Sequence, residues 1–238
     1  ETAFGKMEYV IGGDEKGYPL LMIHGAAGGF DQGLDFASGI VAQRYKIIAP
    51  SRFGYLNSSM PEEASPKMQA DAFINLLDKL GIGKVAVMAV SAGGSSAVQL
   101  ALNHPERVSA LVLVSTALAD KPLKLPPQKL VKSMIGSNYI FWLLSGPLRS
   151  FAQRMFVPAS YDLKPDEECE MEEIMKGLLP IKPRSQGLLF DIFVTNTDSY
   201  HNSSQYVFEE IEVPTLVVNA EDDPAADFAD AKKMSQRI

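Results

Sequence analysis

The sequence predicts an α/β domain with a mostly parallel sheet and helices on both of its faces. Three observations predict this fold class. Short runs that are almost wholly apolar recur along the chain, as expected of strands that are covered on both sides. Segments with a helical spacing of apolar residues lie between these runs. The chain has 238 residues, of which 46% are hydrophobic, and this is enough for one large core domain.

The strand-like runs follow one another in a regular order. They cover residues 6–11, 19–24, 45–49, 85–90, 110–115 and 215–219. A helix is predicted over residues 66–80, where Ser65 serves as the N-cap and Gly81 ends the helix. A second helix is predicted over residues 97–103. Because strands that alternate with helices form right-handed βαβ units, most of the sheet should be parallel.

One long segment interrupts this alternation. It shows no strong strand signal and is rich in proline, methionine and aromatic residues. We therefore predict a helical cap over residues 117–213, inserted into a core that consists of residues 1–116 and 214–238. Aromatic residues of this segment, such as Phe141 and Trp142, need a surface to pack on. Packed on the core, they would form the wall of an apolar pocket.

The net charge and the hydropathy limit the partners of the protein. The net charge of −7 argues against nucleic acid and anionic membrane surfaces as main partners. The longest uncharged stretch, residues 134–148, is shorter than the roughly 20 apolar residues that a membrane-spanning helix needs. We expect a small-molecule substrate and no cofactor.

Cysteine usage and the N-terminus bear on the compartment. The single cysteine, Cys169, can form neither an internal disulfide nor a cysteine-based metal site, which mildly favours a reducing compartment. No signal peptide is visible at Glu1. Since Glu1 is not a start methionine, we expect that residues upstream of it were removed. These observations together predict a cytoplasmic protein without a metal site.

The most informative stretch of the chain leads into Ser91. The apolar run 85–90 ends at this serine, and small residues begin a helix directly after it. Ala89 and Gly93, two residues before and after the serine, are small enough for a tight and strained turn. Such a turn lifts the hydroxyl out of the sheet, as a nucleophile requires. A plain helix N-cap serine is the alternative.

Backbone donors for a developing oxyanion are predicted beside Ser91. The N–H of Ala92 lies at a helix N-terminus, where it is free to bind negative charge. A second donor is expected from the loop of small residues 24–29 after an apolar strand. Ala26 is the preferred donor in this loop and Ala27 is the second choice. An ordinary turn without a catalytic role is the alternative.

A carboxylate that could orient a catalytic histidine is expected just after the last strand run. Asp223 is preferred over Asp222, because it lies three residues after the small Ala220 at the strand end. A turn followed by a helix-capping aspartate is the alternative reading of this loop. Asp120, after an earlier strand, is a more distant candidate for the same role.

The three histidines of the sequence are poor candidates for the general base. His24 belongs to the loop of small residues, and its ring is expected to support that loop. His104 ends a helix, where it is expected to interact with the helix dipole. His201 is expected at the surface, with a base role only as a remote alternative. No histidine follows Asp223 in this sequence.

Taken together, these motifs resemble the α/β-hydrolase superfamily, in its capped branch of lipase- and haloperoxidase-like enzymes. The resemblance covers residues 5–238. It lies in His24-Gly25 with the small residues after it, Ser51-Arg-Phe-Gly54, Ala89-Val-Ser-Ala-Gly93, Asn103-His-Pro-Glu-Arg-Val108 and Pro214-Thr-Leu-Val-Val-Asn-Ala-Glu-Asp-Asp223. In this family the order is serine, aspartate, histidine, and one helix and one strand separate the acid from the histidine. The resemblance implies that the last strand and the catalytic histidine lie beyond Ile238.

A few positions distinguish this chain from particular branches of the family. Ala89 replaces the usual glycine, and Ser51 stands where family members often carry aspartate. Val90 precedes the nucleophile, where the C–C-bond hydrolases of aromatic degradation usually carry asparagine. The nucleophile is Ser91, where haloalkane dehalogenases and epoxide hydrolases use aspartate.

The resemblance implies hydrolysis of small, fairly apolar carboxylic esters through an acyl-enzyme, with a Ser-Asp-His triad. Two kinds of alternative stay open at this point. One is a non-catalytic ligand-binding or receptor protein on the same fold. The other keeps the same triad and changes the substrate, as in C–C-bond hydrolases and haloperoxidases.

Overall fold

The computed structural model describes residues 1–41, 43–116, 118–146, 157–158 and 160–238. In these ranges six strands form one sheet. Their bounds are β1 Tyr9–Gly13, β2 Tyr18–Ile23, β3 Tyr45–Pro50, β4 Val85–Val90, β5 Val108–Val114 and β6 Thr215–Val218. Each apolar run that the sequence predicts as a strand overlaps one of these strands.

The sheet is parallel except at one edge. The strands lie side by side in the order β1-β3-β2-β4-β5-β6, and only β1 is antiparallel to its neighbour. This confirms the predicted α/β class with a mostly parallel sheet. Because parallel strands share the direction of their carboxyl ends, the loops after β2 to β6 gather at one edge of the sheet. β4 lies between β2 and β5 and places Ser91 near the middle of that edge.

Helices connect the parallel strands in the first half of the chain. They are α1 Phe30–Val41, α2 Pro66–Lys79 and α3 Gly94–Asn103. The start of α2 is as predicted, because the Ser65 hydroxyl accepts a hydrogen bond from the Met68 N–H at 3.1 Å. Gly81 follows the end of α2 with a φ of 68°, a conformation that glycine adopts without strain.

Side chains of the strands alternate between two buried clusters on opposite faces of the sheet. On one face, Leu21 and Ile23 of β2 lie in the same cluster as residues of α2 and α3. On the other face, Leu20 and Met22 lie in a cluster with residues of α1. This alternation follows from the period of two residues in a strand. Helices therefore cover both faces, as the fold class requires.

The described residues between β5 and β6 contain helices and turns but no strand. The helices are α4 Gln128–Ile135, α5 Asn138–Ser145, α6 Pro165–Gly177, α7 Ser185–Phe190, a π-helical turn Asp191–Thr195 and α8 Asn196–His201. α9 Phe228–Ser235 follows β6. Residues 147–156, which belong to the predicted cap, lie outside the described residues. Among the helices in the described ranges, none combines the length and the apolar character needed to cross a membrane.

This segment packs in two different ways along its length. Val131, Ile135 and Met175, from the first helices, form a buried cluster of their own that also includes Ala27. Tyr206 and other residues near the end of the segment join the main core cluster instead. The division into a core and a cap over 117–213 stays a proposal, and these contacts favour assigning the last part of the segment to the core.

Candidate active site

Ser91 lies at a strained turn between a strand and a helix. It follows β4 directly, and its φ of 50° is in the left-handed region, which is unfavourable for a residue with a side chain. A 3₁₀ turn, Ser91–Gly93, then leads into α3. A Cβ added at Gly93 would lie 2.8 Å from the carbonyl oxygen of His24, so the turn requires glycine at this position. A strained, partly exposed serine at a strand–helix turn is the geometry of a nucleophile elbow.

The loop after β2 lies directly against Ser91. A Cβ added at Gly25 would lie 3.2 Å from the Ser91 Cβ, so the two residues are in close contact. Ala92 is buried and lies in the first turn of the helix, where N–H groups have no partner within the helix. The structure therefore brings together Ser91, Ala92 and the loop that carries Ala26.

Hydrogen bonding distinguishes the two candidate donors of this loop. The N–H of Ala27 donates to the hydroxyl oxygen of Tyr55 at 3.2 Å, so a substrate oxygen would have to displace this bond. Within the described ranges, no residue accepts a hydrogen bond from the N–H of Ala26. This difference favours Ala26 over Ala27 as an oxyanion donor.

Backbone strain is concentrated at the carboxyl edge of the sheet. In the described residues, four non-glycine residues have a positive φ: Ala27, Leu56, Ser91 and Ser115. They follow β2, β3, β4 and β5, respectively. Each such residue costs on the order of 1 kcal/mol and persists only where the surrounding structure enforces it. The edge that carries Ser91 is therefore held in shape by packing and hydrogen bonds.

His24 is fully buried, and both nitrogens of its ring are engaged. The Nε2 atom accepts a hydrogen bond from the Arg52 backbone N–H at 3.0 Å, and Nδ1 lies 2.7 Å from the Gly25 carbonyl oxygen. Since Nε2 accepts, Nδ1 carries the proton and donates to that carbonyl. Burial and the nearby Arg52 charge hold the pKa of His24 well below its usual value. The ring is neutral and bonded within the loop region, and its two engaged nitrogens do not favour a role as general base.

A buried ion pair lies beneath the same loop. The Arg52 guanidinium donates from Nη1 to Asp191 Oδ1 at 2.7 Å and from Nη2 to Asp191 Oδ2 at 2.6 Å. The Tyr55 hydroxyl also donates to Asp191. Burial alone would lower the pKa of Arg52, but the Asp191 carboxylate offsets this effect and raises it. Burial and Asp191 raise the pKa of Tyr55, which stays protonated.

A second ion pair has its charges the other way round: the arginine lies in the segment between β5 and β6, and the carboxylate lies in α1. Arg184 is buried and donates to both carboxylate oxygens of Asp31, at the start of α1. Its Nη1 also donates to the Gly28 carbonyl oxygen at 2.6 Å. Burial alone would raise the pKa of Asp31, but the hydrogen bonds from Arg184 outweigh it and the pKa lies below its usual value. The segment 181–195 is thus linked to the loop beside Ser91 twice, directly by Arg184 and through Arg52 by Asp191.

The sequence reasoning missed these two pairs. A usable signal was present, because Asp191 stands alone in the apolar helical stretch Leu188-Leu-Phe-Asp-Ile-Phe-Val194. A carboxylate that a helix carries into an apolar environment needs a cationic partner there. The sequence did not indicate which of its 22 lysines and arginines that partner is.

Asp223 lies in the loop after β6, at the same edge of the sheet as Ser91. β6 is two strands away from β4, which corresponds to roughly 10 Å at the usual strand spacing. One carboxylate oxygen of Asp223 accepts hydrogen bonds from the N–H groups of Ala225 and Ala226, at 2.8 and 2.9 Å. In the described residues no group donates to its other oxygen. Asp222 is exposed to solvent.

The remaining candidates lie away from this arrangement. His104 ends α3, and its Nε2 pairs with Asp71 Oδ1 at 2.7 Å, so a side chain of α2 is its partner in addition to any dipole effect. His201 is exposed and its ring packs edge-on against Tyr200. Asp120 forms a surface ion pair with Lys233. Among the residues that the structure describes, no cluster of histidine, cysteine and carboxylate side chains could hold a metal ion.

The chain is similar in sequence to a known protein family and to several proteins named as hydrolases. The family model of the α/β hydrolase fold matches residues 18–238. The chain is 36% identical over 116 residues to the uncharacterized hydrolase YcgS of Bacillus subtilis (strain 168), which is 49% of this chain and 40% of YcgS. It is 33% identical over 111 residues to 2-hydroxymuconate semialdehyde hydrolase of Pseudomonas sp. (strain CF600), which is 45% of this chain and 39% of that protein.

Two further comparisons extend this similarity. The chain is 27% identical over 151 residues to the uncharacterized carboxylesterase nap of Bacillus subtilis (strain 168), which is 60% of this chain and 50% of that protein. The structure superposes on an α/β hydrolase fold protein from Nakamurella multipartita with a TM-score of 0.75 and 25% identity, covering 100% of this chain and 85% of that one. The matches span half or less of the lengths of these three curated relatives.

Proposed function

Because the chain belongs to the α/β-hydrolase fold family, we propose that it is a serine hydrolase that cleaves small, fairly apolar carboxylic esters. The observation that carries the proposal is Ser91, strained at the turn between β4 and α3 with the Gly25 loop in contact with it. The similarity to a protein named as a carboxylesterase supports ester chemistry. Relatives named as a carboxylesterase and as a semialdehyde hydrolase are both hydrolytic enzymes, and carboxylic esters are the substrate class that we propose here.

In the proposed reaction the Ser91 hydroxyl attacks the carbonyl carbon of the ester. The N–H groups of Ala26 and Ala92 donate to the oxyanion that forms. A histidine takes the proton from Ser91 and gives it to the leaving alcohol, and water then releases the acid from the acyl-enzyme by the same route. Asp223 would orient this histidine, which follows the acid in the family order of serine, aspartate, histidine.

We also propose that the helices α4 to α6 form a cap over Ser91. The support is that Ala27, in the loop beside Ser91, belongs to the same buried cluster as Val131, Ile135 and Met175. A pocket between this cluster and Ser91 would have apolar walls, which suits an apolar acyl or alcohol group.

A second candidate function is C–C-bond hydrolysis with the same nucleophile. The observation that favours it is the 33% identity to 2-hydroxymuconate semialdehyde hydrolase. The two candidates make different demands on the substrate. An ester hydrolase will turn over p-nitrophenyl acetate much faster than 2-hydroxymuconate semialdehyde, and a C–C-bond hydrolase will show the reverse preference.

The decisive experiment is substitution of the proposed nucleophile in the full-length protein. Ser91→Ala is expected to abolish labelling by an alkyl fluorophosphonate and to reduce ester turnover by on the order of 10⁶-fold. Ser133→Ala, at an exposed position of α4, is the control and should change neither. Labelling that survives the Ser91 substitution, or an unlabelled wild type, would reject the proposal.

The acid is tested by a pair of neighbouring substitutions. Asp223→Asn is expected to lower kcat by on the order of 10⁴-fold and to leave the melting temperature unchanged, because the carboxylate acts on the tautomer and charge of the histidine. Asp222→Asn should have a mild effect, since that side chain is exposed. If Asp222→Asn is the damaging change, the acid is one residue earlier than proposed.

A further inference from the structure

One short helical turn is bonded to side chains that support both parts of the proposed oxyanion hole. This turn, Asp191–Thr195, has the wide π-helical form, which is rare and occurs often at functional sites. Its first residue, Asp191, is bonded to the side chains under the Gly25 loop. Its last residue, Thr195, accepts a hydrogen bond at its carbonyl oxygen from the Ser95 hydroxyl of α3, at 3.0 Å. One five-residue turn therefore links the loop that carries Ala26 to the helix that begins beside Ser91.

The first branch of contacts runs from Asp191 through Arg52. While Asp191 holds the two Nη atoms, Arg52 Nε donates to the His24 carbonyl oxygen at 3.0 Å. Nη2 also donates to the Gly25 carbonyl oxygen at 3.1 Å. With both carbonyl groups held, the peptide units on either side of Gly25 have little freedom to rotate. The peptide after Gly25 contains the N–H of Ala26.

The second branch runs from Asp191 through Tyr55. The Tyr55 hydroxyl donates its hydrogen bond to Asp191, so its oxygen is left as the acceptor for the Ala27 N–H. This bond holds Ala27 in its left-handed conformation, with a φ of 59°. Through Arg52 and Tyr55, Asp191 thus helps to hold the backbone of the residue before Ala26 and of the residue after it.

We propose that Asp191 is a positioning residue for the oxyanion hole, which through Arg52 and Tyr55 fixes the backbone around Ala26 and makes its N–H the donor to the reacting oxygen. This inference rests on the proposed serine hydrolase function. Asp191 is fully buried, so we expect no contact between it and the substrate. Its effect should appear in the stabilisation of the tetrahedral state, where a misplaced donor matters most, and much less in substrate binding.

The chain offers a matched control for this role. Asp198, seven residues later, is also buried and also accepts a hydrogen bond from a buried tyrosine, Tyr206, at 2.5 Å. Its other oxygen accepts from Asn202 at 2.7 Å. In the described residues, no bond from Asp198 reaches the Gly25 loop. Asp191→Asn and Asp198→Asn therefore make the same chemical change at two buried carboxylates that each accept from a tyrosine. In the part of the chain that the structure describes, only Asp191 of the two also pairs with an arginine and supports Ala26.

The experiment measures turnover of p-nitrophenyl acetate and the affinity for a trifluoromethyl ketone, which forms a tetrahedral adduct with the nucleophile. Turnover is expressed per site labelled by fluorophosphonate, and the ketone affinity is expressed as a dissociation constant. Asp191→Asn is expected to lower kcat about 10²-fold. It should lower the affinity for the ketone by a similar factor and leave KM nearly unchanged. Asp198→Asn should leave both kcat and ketone affinity near those of the wild type. Equal effects of the two substitutions would overturn the inference.

A second pair of variants keeps the test decisive if Asp191→Asn does not fold. Tyr55→Phe removes only the hydroxyl that holds the Ala27 N–H, and it is expected to lower kcat about tenfold with a similar loss of ketone affinity. Tyr206→Phe is its control. If Tyr55→Phe has the kcat and ketone affinity of Tyr206→Phe, the inference is wrong. A wild type that fluorophosphonate does not label at Ser91 rejects the proposed function itself, whereas a labelled wild type with an unaffected Asp191→Asn rejects only the inference.

Discussion

The two halves of the segment between β5 and β6 attach to the core by different interactions. The described side chains of the first half, residues 128–177, pack through Val131, Ile135 and Met175 in the buried apolar cluster that also includes Ala27. Its ion pairs in the described residues join near neighbours in the sequence, as in the exposed pair of Lys176 and Glu172. The second half, residues 181–201, shares this apolar cluster through Ile181 and Leu188. In addition it reaches the core through Arg184 and Asp191, whose partners lie more than a hundred residues away in the sequence.

This difference would separate two tasks of the proposed capped hydrolase. Apolar contact has no preferred direction, so the first half can change its side chains and its pocket shape at modest cost. Charged hydrogen bonds have short distances and fixed geometry, so the second half constrains the atoms that it binds. We therefore expect substrate preference to depend on the first half and turnover and stability to depend on the second.

The largest expected effect comes from breaking a buried ion pair of the second half. Arg52→Met leaves the carboxylate of Asp191 buried without its cation, which typically costs about 3–5 kcal/mol of unfolding free energy. Urea denaturation of both proteins measures this loss. Lys176→Met, which breaks the exposed ion pair of the first half, is the control and should leave the unfolding curve unchanged. Similar losses in the two variants would contradict the distinction between the halves.

The next effect is a pH dependence that comes from His24. Its pKa is lowered by burial in the folded state, so the unfolded chain binds a proton that the folded protein does not. Stability from this group is complete above the unfolded pKa of about 6.5 and is lost as the pH falls below it, by up to about 1.4 kcal/mol per pH unit. His24→Gln should remove this slope. The measurement is urea denaturation of both proteins between pH 7.5 and 5. Parallel curves would contradict the prediction.

The smallest effect should come from the apolar first half. The sequence predicts that substitutions in residues 134–156 alter chain-length preference, and the described part of this range offers a matched pair. Phe141 packs on the buried cluster that contains Ala27. Its neighbour Trp142 is 49% exposed and stacks on Tyr139, so it is not covered in the way the sequence suggests.

Phe141→Ala is expected to shift the ratio of kcat/KM for p-nitrophenyl hexanoate to that for the acetate by several-fold, since it enlarges the apolar wall. Trp142→Ala should leave this ratio unchanged. The ratio is measured with both esters on each variant. A larger shift for Trp142 than for Phe141 would place the pocket on the other side of α5.

Local signals in the sequence were sufficient to predict the central part of the fold. The strands are runs of β-branched and aliphatic residues with sharp ends, and the turn at Ser91 is set by small residues within two positions of it. The start of α2 follows from Ser65 and Pro66 alone. In each case the residues that decide the structure lie next to one another in the chain.

The residues that support the candidate site could not be predicted from local signals, because their partners lie far away in the sequence. Asp191 and Arg52 are 139 residues apart, and Arg184 and Asp31 are 153 residues apart. Nothing near Arg52 in the sequence indicates that a helix from the inserted segment brings a carboxylate to it. The same holds for Ala26 and Ala27, because the choice between them depends on the Tyr55 hydroxyl, which the sequence does not place beside the loop.

The two arginine–carboxylate pairs, in which both arginines are buried, have a consequence for recombination between homologues. A cap exchanged at the boundaries 117 and 213 would carry Asp191 and Arg184 away from the partners that remain in the recipient, Arg52 and Asp31. Each chimera would inherit unmatched buried charges unless the donor happened to carry the same four residues. An exchange limited to residues 118–180 would replace the apolar first half and keep both pairs intact. Libraries that aim at new substrates should therefore place the C-terminal crossover before Ile181.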